Sequence, residues 1–445
     1  MKIIQAIGWY FPDHIGGTEV YVDSISEKLL KAGHEIIIVA PYAGGLAPRE
    51  YKYNGVKVFR YPVDDKLSRN EYQNRVSPVG ARFLHNFFIK ESPDIVHFHS
   101  FVTGLSLPEV KAAKSAGAKI IVTFHLPSIG YICQRGTLFR WGKQLCDGIL
   151  EVIKCSSCYL QSRGLPKTVA YAVTLVSAPF GRLFLRVPGA LGTALSIPSL
   201  ISYNKSINNE LFVLVDKFVF LNQQSLDIFK ANGAPADKLF LNSLGVDRVY
   251  IRKNADNNLA GNAPLKVAYV GRLSEIKGVL ILAKAVSVLP KELQVSVDFV
   301  GLSGNDSCSR IAGKIKKISK YDPRVKILPM VDHDEIDSVF AAYDLICCPS
   351  LCLEGGPTVA IEAQARGIPV IGSNIGGLRD IIKQDINGFL ITPGDFRSLA
   401  NIIIRVINDP VGTIGRWKKD CFKVRDMSEV VSQYLNLYQD VKRNN

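Results

Sequence analysis

The sequence predicts two doubly wound α/β domains, each an open parallel sheet of Rossmann-like type with helices on both faces, set facing a cleft. Three observations carry this. Short β-branched runs alternate with helical patterns along the chain, which is the mark of repeated βα units. A polar stretch, RKNADNNLAGNAP at 252–264, breaks that rhythm near the middle. The 445 residues also exceed what one core organises, since domains usually run to roughly 100–200 residues.

The first series of strands reads KIIQAIGWY, HEIIIVAP, VKVFRYPV, DIVHFHS, AKIIVTFH and KFVFLN. Between the first two lies EVYVDSISEKLLKAG, a helix closed by Gly33. The 252–264 stretch holds four Asn, lacks apolar periodicity and reads as a linker. The second series reads LKVAYVG, VSVDFVG, RVKILPM, DLICCPS, PVIGS and GFLIT. The expected organisation is a first domain over 1–251, the linker, a second domain over 265–424, and a last helix over 425–445 crossing back to the first domain. A small-molecule site is expected in the cleft, at the C-terminal ends of the strands.

Composition is that of a globular protein, 47% hydrophobic and 21% charged. The net charge of +14 suits an acidic partner such as a phosphorylated small molecule or an anionic membrane, or else marks a solvated basic surface. No basic–aromatic module of a nucleic-acid binder is present. MKIIQAIGWYF has no small-residue cleavage site and reads as a first strand rather than a signal peptide. A cytoplasmic protein is therefore expected, and nine cysteines, an odd number unevenly placed, fit a reducing compartment. The most apolar segment, Thr168 to Tyr203, is interrupted by Arg182 and Arg186 and broken by Pro179 and Pro188. It predicts two or three short helices, either buried in the first domain or forming a basic, apolar surface at a membrane interface.

The chemistry concentrates in LEGGPTVAIEAQARGIPVIG, from Leu353. Glu354 falls in the loop after the strand DLICCPS, and Pro357 falls at the first turn of a helix that Gly367 and Pro369 end. Gly355 and Gly356 leave backbone N–H groups for an anion at the helix N-terminus. Glu362, separated from Glu354 by seven intervening residues, can accept two hydrogen bonds from a vicinal diol such as a ribose, or can pair with Arg366 four residues on. VAYVGRLSEIKG puts Gly271, Arg272 and Lys277 just past another strand. Two cations there can hold a pyrophosphate without a metal. Gly16 and Gly17 follow the first strand, where adjacent glycines admit a ligand close to the backbone. They do not spell the G-x-G-x-x-G of a nicotinamide enzyme.

GlyGly at 16–17, GRLSEIKG at 271–278, EGGPTVAIEA at 354–363 and GIPVIGSNIGG at 367–377 resemble the group 1 glycosyltransferases of the GT-B fold, glycosyltransferase family 4. GVD at 245–247 and NGFLITPGD at 387–395 resemble further signposts of that family. The resemblance spans nearly the whole chain, more specifically in its C-terminal half. It implies a retaining transferase that moves a sugar from a nucleotide-sugar donor, with UDP or GDP as carrier, to a glycan or lipid-linked acceptor in surface polysaccharide synthesis. It implies that Glu362 holds the ribose hydroxyls and that Arg272 and Lys277 neutralise the diphosphate. Glu354 and the backbone from Gly355 through Gly356 and Pro357 to Thr358 would contact donor sugar and phosphate. Gly16 and Gly17 would face the phosphate, and His125 would lie near the donor sugar. The family usually needs no divalent metal, and the chain carries no D-x-D motif suitably placed; neither metal nor cofactor is expected. Two features depart from common family usage: Gly-Gly-Pro follows Glu354 where Phe-Gly is frequent, which tunes the sugar pocket, and Asp380 stands where Glu is frequent. A GT-B epimerase, a sugar-nucleotide hydrolase and a non-catalytic nucleotide-sugar-binding scaffold would share the same donor site.

Other candidates stay open. His97 and His99 lie at a strand end, where they can reach a ligand or pack. Cys133, Cys146, Cys155 and Cys158 hold only one C-x-x-C, where zinc ribbons usually show two. They read as a structural zinc site, a redox pair or unpaired loop thiols. Cys347, Cys348 and Cys352 read as packing residues on or after a strand.

Overall fold

The computed structural model describes residues 1–443 except 15, 65, 248–262, 305, 332–334 and 422–423, so 252–262 of the predicted linker lie outside the described residues. The chain divides into two compact units. The first comprises residues 1–141, 146–243 and 427–445, and the second comprises 142–145 and 244–426.

In the first unit the strands are β1 (Lys2–Ile7), β2 (Glu35–Ala43), β3 (Arg49–Tyr53), β4 (Val56–Val63), β5 (Ile95–His99), β6 (Lys119–Phe124), β7 (Lys217–Phe220) and β8 (Leu239–Leu241). They form one sheet in the order β8-β7-β6-β5-β1-β2-β4-β3. Every pair is parallel except β3 with β4. The sequence reading missed β3, whose REYKY looks like loop, although the following Asn54-Gly55 is a hairpin signal; both residues have positive φ (46° and 80°). The short edge strand β8 was also missed. β1, β5 and β6 are buried almost end to end, as parallel strands covered on both faces must be.

Helix α1 (Gly17–Lys31) follows β1, and the C-terminal helix Met427–Arg443 packs against it within the same unit. Residues 152–214 form α2 (Val152–Ser162), α3 (Lys167–Ser177), α4 (Gly189–Leu195) and α5 (Ile197–Leu214). Pro188 caps α4 and Pro198 stands in the first turn of α5, so the prolines set helix starts. These helices share a small core of Leu150, Leu160, Ala170, Ile197, Leu200 and Ile201.

The second unit carries β9 (Leu265–Val270), β10 (Val295–Leu302), β11 (Val325–Pro329), β12 (Leu345–Cys348), β13 (Val370–Ser373) and β14 (Gly388–Ile391), ordered β11-β10-β9-β12-β13-β14 and all parallel. Strand order reverses between β9 and β12 here, and between β1 and β5 in the first unit. Open α/β sheets bind ligands at the carboxyl ends of the strands flanking such a switch.

Candidate functional site

The switch point of the second unit collects the residues singled out above. β9 runs into Gly271, whose φ of +133° is unavailable to side-chain-bearing residues at low cost; the turn leaves Arg272 exposed. A single 3-10 turn, Glu275–Lys277, follows and ends at Gly278. Gly278 has φ +78°, and a Cβ there would lie 1.7 Å from the Pro349 carbonyl oxygen. The loop after β9 is thereby pressed backbone-to-backbone against the loop after β12, an approach reinforced by the hydrogen bond from Leu351 N to Ile276 O (2.8 Å). The loop after β13 joins them, because Gly377 N donates to Glu354 O at 3.0 Å.

Glu354 is nearly buried at the centre of these loops. Its Oε2 takes a hydrogen bond from Lys277 Nζ at 2.5 Å, and its Oε1 takes one from the Ser350 hydroxyl. Burial works against the Lys277 charge, but the Glu354 carboxylate outweighs it and holds the Lys277 pKa above its ordinary value. The same environment pushes the thiols of Cys348 and Cys352 up to about 12, through burial first and Glu354 second. Both stay protonated, and Cys347 and Cys352 are buried as packing residues.

Several expectations need correction. Lys277 is not simply a free cation beside Arg272; it is ion-paired with Glu354. Pro357 stands at the N-cap of α6 (Thr358–Ala365) rather than within its first turn. At Gly356 a Cβ would fall 2.0 Å from Leu244 Cδ1, so glycine is required there by packing. Arg366 donates to Asp337 and to the backbone carbonyl of Glu362 (2.8 Å). Glu362 is half-buried within α6, and Thr358 opens that helix. Ser350 and Asp337 were not foreseen, and no local sequence signal marks either.

In the first unit, Gly16 is the N-cap of α1, and Gly17 opens that helix at the surface. A Cβ on Gly16 would meet Glu19 Oε2 at 2.6 Å, so this glycine makes room for a buried carboxylate that bonds His14 Nδ1 (3.0 Å). His97 and His99 do not reach outward. They are buried in a polar network that runs from β1, β5 and β6 to the C-terminal helix. With the Gln5 amide oxygen accepting from His99 Nε2 (2.7 Å), His99 Nδ1 must accept from His125 Nε2 (3.0 Å), which leaves His125 Nδ1 unprotonated. A second chain passes from Tyr438 to His97 Nδ1 (2.7 Å), from His97 Nε2 to Thr123 (2.7 Å), on to Tyr434 (3.1 Å) and to Tyr21 (3.0 Å). In this order each donor from Tyr438 to Tyr434 finds an acceptor. Burial lowers the His125 pKa to about 3, so its imidazole is neutral. No part of the network could be read locally, because its members lie up to 433 residues apart.

Residues 251–421 match the family model described as glycosyl transferases group 1, and residues 15–157 match that of glycosyltransferase family 4. An uncharacterized glycosyltransferase of Methanocaldococcus jannaschii is 21% identical over 450 residues, covering 99% of this chain and 98% of its own. A sucrose-phosphate synthase from Thermosynechococcus elongatus superposes with a TM-score of 0.68 at 18% identity, over 100% of both chains. HepE of Anabaena, solved in complex with UDP, superposes with a TM-score of 0.63 at 18% identity, over 99% of this chain and 100% of its own. At these identities the solved structures establish a shared fold.

Proposed function

The chain belongs to the group 1 glycosyltransferases, and from that premise we propose that it moves a sugar, with retention, from a nucleotide-sugar donor to a glycan or lipid-linked acceptor during surface polysaccharide assembly. The observation that carries the donor site is the convergence of Arg272, Lys277, Glu354 and the start of α6 at the β9/β12 switch point. That HepE was solved with UDP supports a nucleotide as the ligand of such a place.

The chemistry suits the residues. Departure of a nucleoside diphosphate builds negative charge on its β-phosphate and positive charge at the anomeric carbon. Arg272 and Lys277 answer the first with fixed cations, and the α6 N-terminus adds backbone donors. Lys277 can turn from Glu354 to the phosphate, which leaves the Glu354 carboxylate to accept from donor-sugar hydroxyls. Glu362 binds the ribose diol. With two cations to neutralise the diphosphate, the reaction as proposed uses no divalent ion. The departing phosphate itself assists front-face attack by the acceptor, which gives retention.

The acceptor assignment rests on α3, α4 and the turn between them. Val176, Phe180, Leu183 and Leu191 are exposed there among Lys167, Arg182 and Arg186, and the sequence holds no Asp or Glu between Glu151 and Glu210. Such a surface suits the interface of an anionic membrane carrying a lipid-linked acceptor on its inner face. Among the described residues no helix is long and apolar enough to cross a membrane.

Calorimetric titration of UDP, GDP and ADP with EDTA present, on wild type and Glu362→Ala, tests the donor site. One nucleotide is expected to bind tightly to wild type and at least ten-fold more weakly to the variant. A folded wild type that binds none of them overturns the reading and leaves a scaffold as the better one.

A further inference from the structure

Cys133, Cys146, Cys155 and Cys158 are free thiols, and no three metal-ligating side chains among the described residues are gathered to hold an ion. The feature of the first unit that the donor chemistry leaves unexplained lies instead in the loop after β1. It reads WYFPDH, from Trp9. Tyr10 and Phe11 are buried, whereas Trp9 is 51% exposed. Tryptophan is ordinarily among the more buried residues, yet here the fold packs its two aromatic neighbours and leaves the largest ring in water.

The loop that carries Trp9 is fastened from several sides. The Tyr10 hydroxyl donates to Asp23 on α1 at 2.7 Å. Phe11 stacks on Tyr53 of β3, with ring centroids 4.8 Å apart and planes 2° from parallel, and the Tyr51 hydroxyl donates to the Phe11 carbonyl. Arg60, buried on β4, donates to the carbonyls of Tyr10 (3.4 Å) and Pro41 (3.1 Å) and pairs with Asp13 (3.1 Å). His14 lies beside the indole, ring centroids 5.7 Å apart, and its Nδ1 meets the buried Glu19 carboxylate at 3.0 Å. With that carboxylate accepting from Nδ1–H, the neutral ring keeps Nε2 as an acceptor, and the His14 side chain is 47% exposed. Trp9 thus stands on a fixed support at the carboxyl end of β1, one of the two strands flanking the switch point of the first unit, where open α/β sheets take ligands.

We propose that Trp9 is the platform on which a sugar ring of the acceptor stacks, with His14 Nε2 accepting from one of its hydroxyls. The inference rests on the transferase reading and names the part of the acceptor that is held: a hexopyranose with C–H bonds along one face. Those hydrogens carry slight positive charge and meet the electron-rich face of the indole, while the hydroxyls at the rim of the sugar stay free for polar partners. An aromatic side chain has only two χ angles to immobilise, so the platform costs little entropy when the sugar lands. A nucleobase is also flat and would stack on an indole, so the test separates the two.

The full chain labelled with 5-fluorotryptophan gives three fluorine NMR signals, from Trp9, Trp141 and Trp417, and Trp9→Phe assigns the first. The probes are methyl β-D-glucopyranoside, methyl β-D-galactopyranoside and UDP. At least one glycoside is expected to move the Trp9 signal saturably and to leave that of the buried Trp417 in place. His14→Ala is expected to need about ten-fold more of that glycoside, the worth of one hydrogen bond. A Trp9 signal that UDP moves and neither glycoside does overturns the proposal and assigns the ring to the nucleotide base. A folded protein in which none of the three moves it overturns the proposal as well. Calorimetry with UDP on the same sample reports the donor site separately: UDP bound while no sugar moves Trp9 overturns the platform alone, and sugar bound while no UDP binds overturns the donor site alone.

Discussion

Lys277→Met puts the pairing of Lys277 with Glu354 to a quantitative test. The side chains are 34% and 11% exposed, so Glu354 depends on the pair more than Lys277 does. Removing Lys277 leaves a nearly buried carboxylate that still accepts from the Ser350 hydroxyl. A hydrogen bond to a charged group is worth about 1.5–3 kcal/mol, and partial exposure puts the loss near 2. Glu354→Gln should cost less, about 1 kcal/mol, because Lys277 can turn to water. The double variant should recover about 1 kcal/mol relative to the sum of the singles, the mark of a direct contact. Differential scanning calorimetry should show Lys277→Met lowering the transition of the second unit by about 4–8 °C, at about 2–4 °C per kcal/mol for a unit of its size. UDP titration then separates the roles: Lys277→Met should weaken binding about 30-fold or more, while Glu354→Gln should bind within about three-fold of wild type yet fail to transfer sugar. Single effects that add within about 0.3–0.5 kcal/mol would refute the pair. Undiminished UDP affinity in Lys277→Met would refute its phosphate role.

Two further outcomes follow from the first unit. His97, His99 and His125 are all held below their ordinary pKa, first by burial and, for His97 and His99, also by neighbouring imidazoles. The folded protein keeps them neutral while the unfolded chain protonates below about 6.5, so stability is flat above that pH and falls beneath it. Each loses about 1.4 kcal/mol between pH 7.5 and 5.5, about 4 kcal/mol together, a drop that urea denaturation at the two pH values measures; equal stabilities would refute the buried neutral network. For the exposed helices, Val176→Asp with Leu183→Asp should cut co-sedimentation with anionic liposomes at least ten-fold, since burying one such side chain is worth about 1.5–3 kcal/mol. Equal sedimentation of wild type and variant refutes the membrane face.

The sequence by itself determined the twelve principal strands, their division into two series and the break of the 168–203 segment into separate helices, because hydrophobic periodicity, proline and glycine act over a few residues. It also marked Arg272, Lys277, Glu354 and Glu362, because strand-end loops place chemistry at predictable points along the chain. Tertiary structure decided what those residues touch. Lys277 meets Glu354 across 77 positions, Gly356 yields to Leu244, and Arg366 reaches Asp337 across 29 positions. It also decided that Gln5, His97, His99 and Thr123 close a hydrogen-bonded chain with Tyr434 and Tyr438. A buried polar group must find a partner wherever the fold supplies one, and nothing in its own neighbourhood of sequence says where that will be.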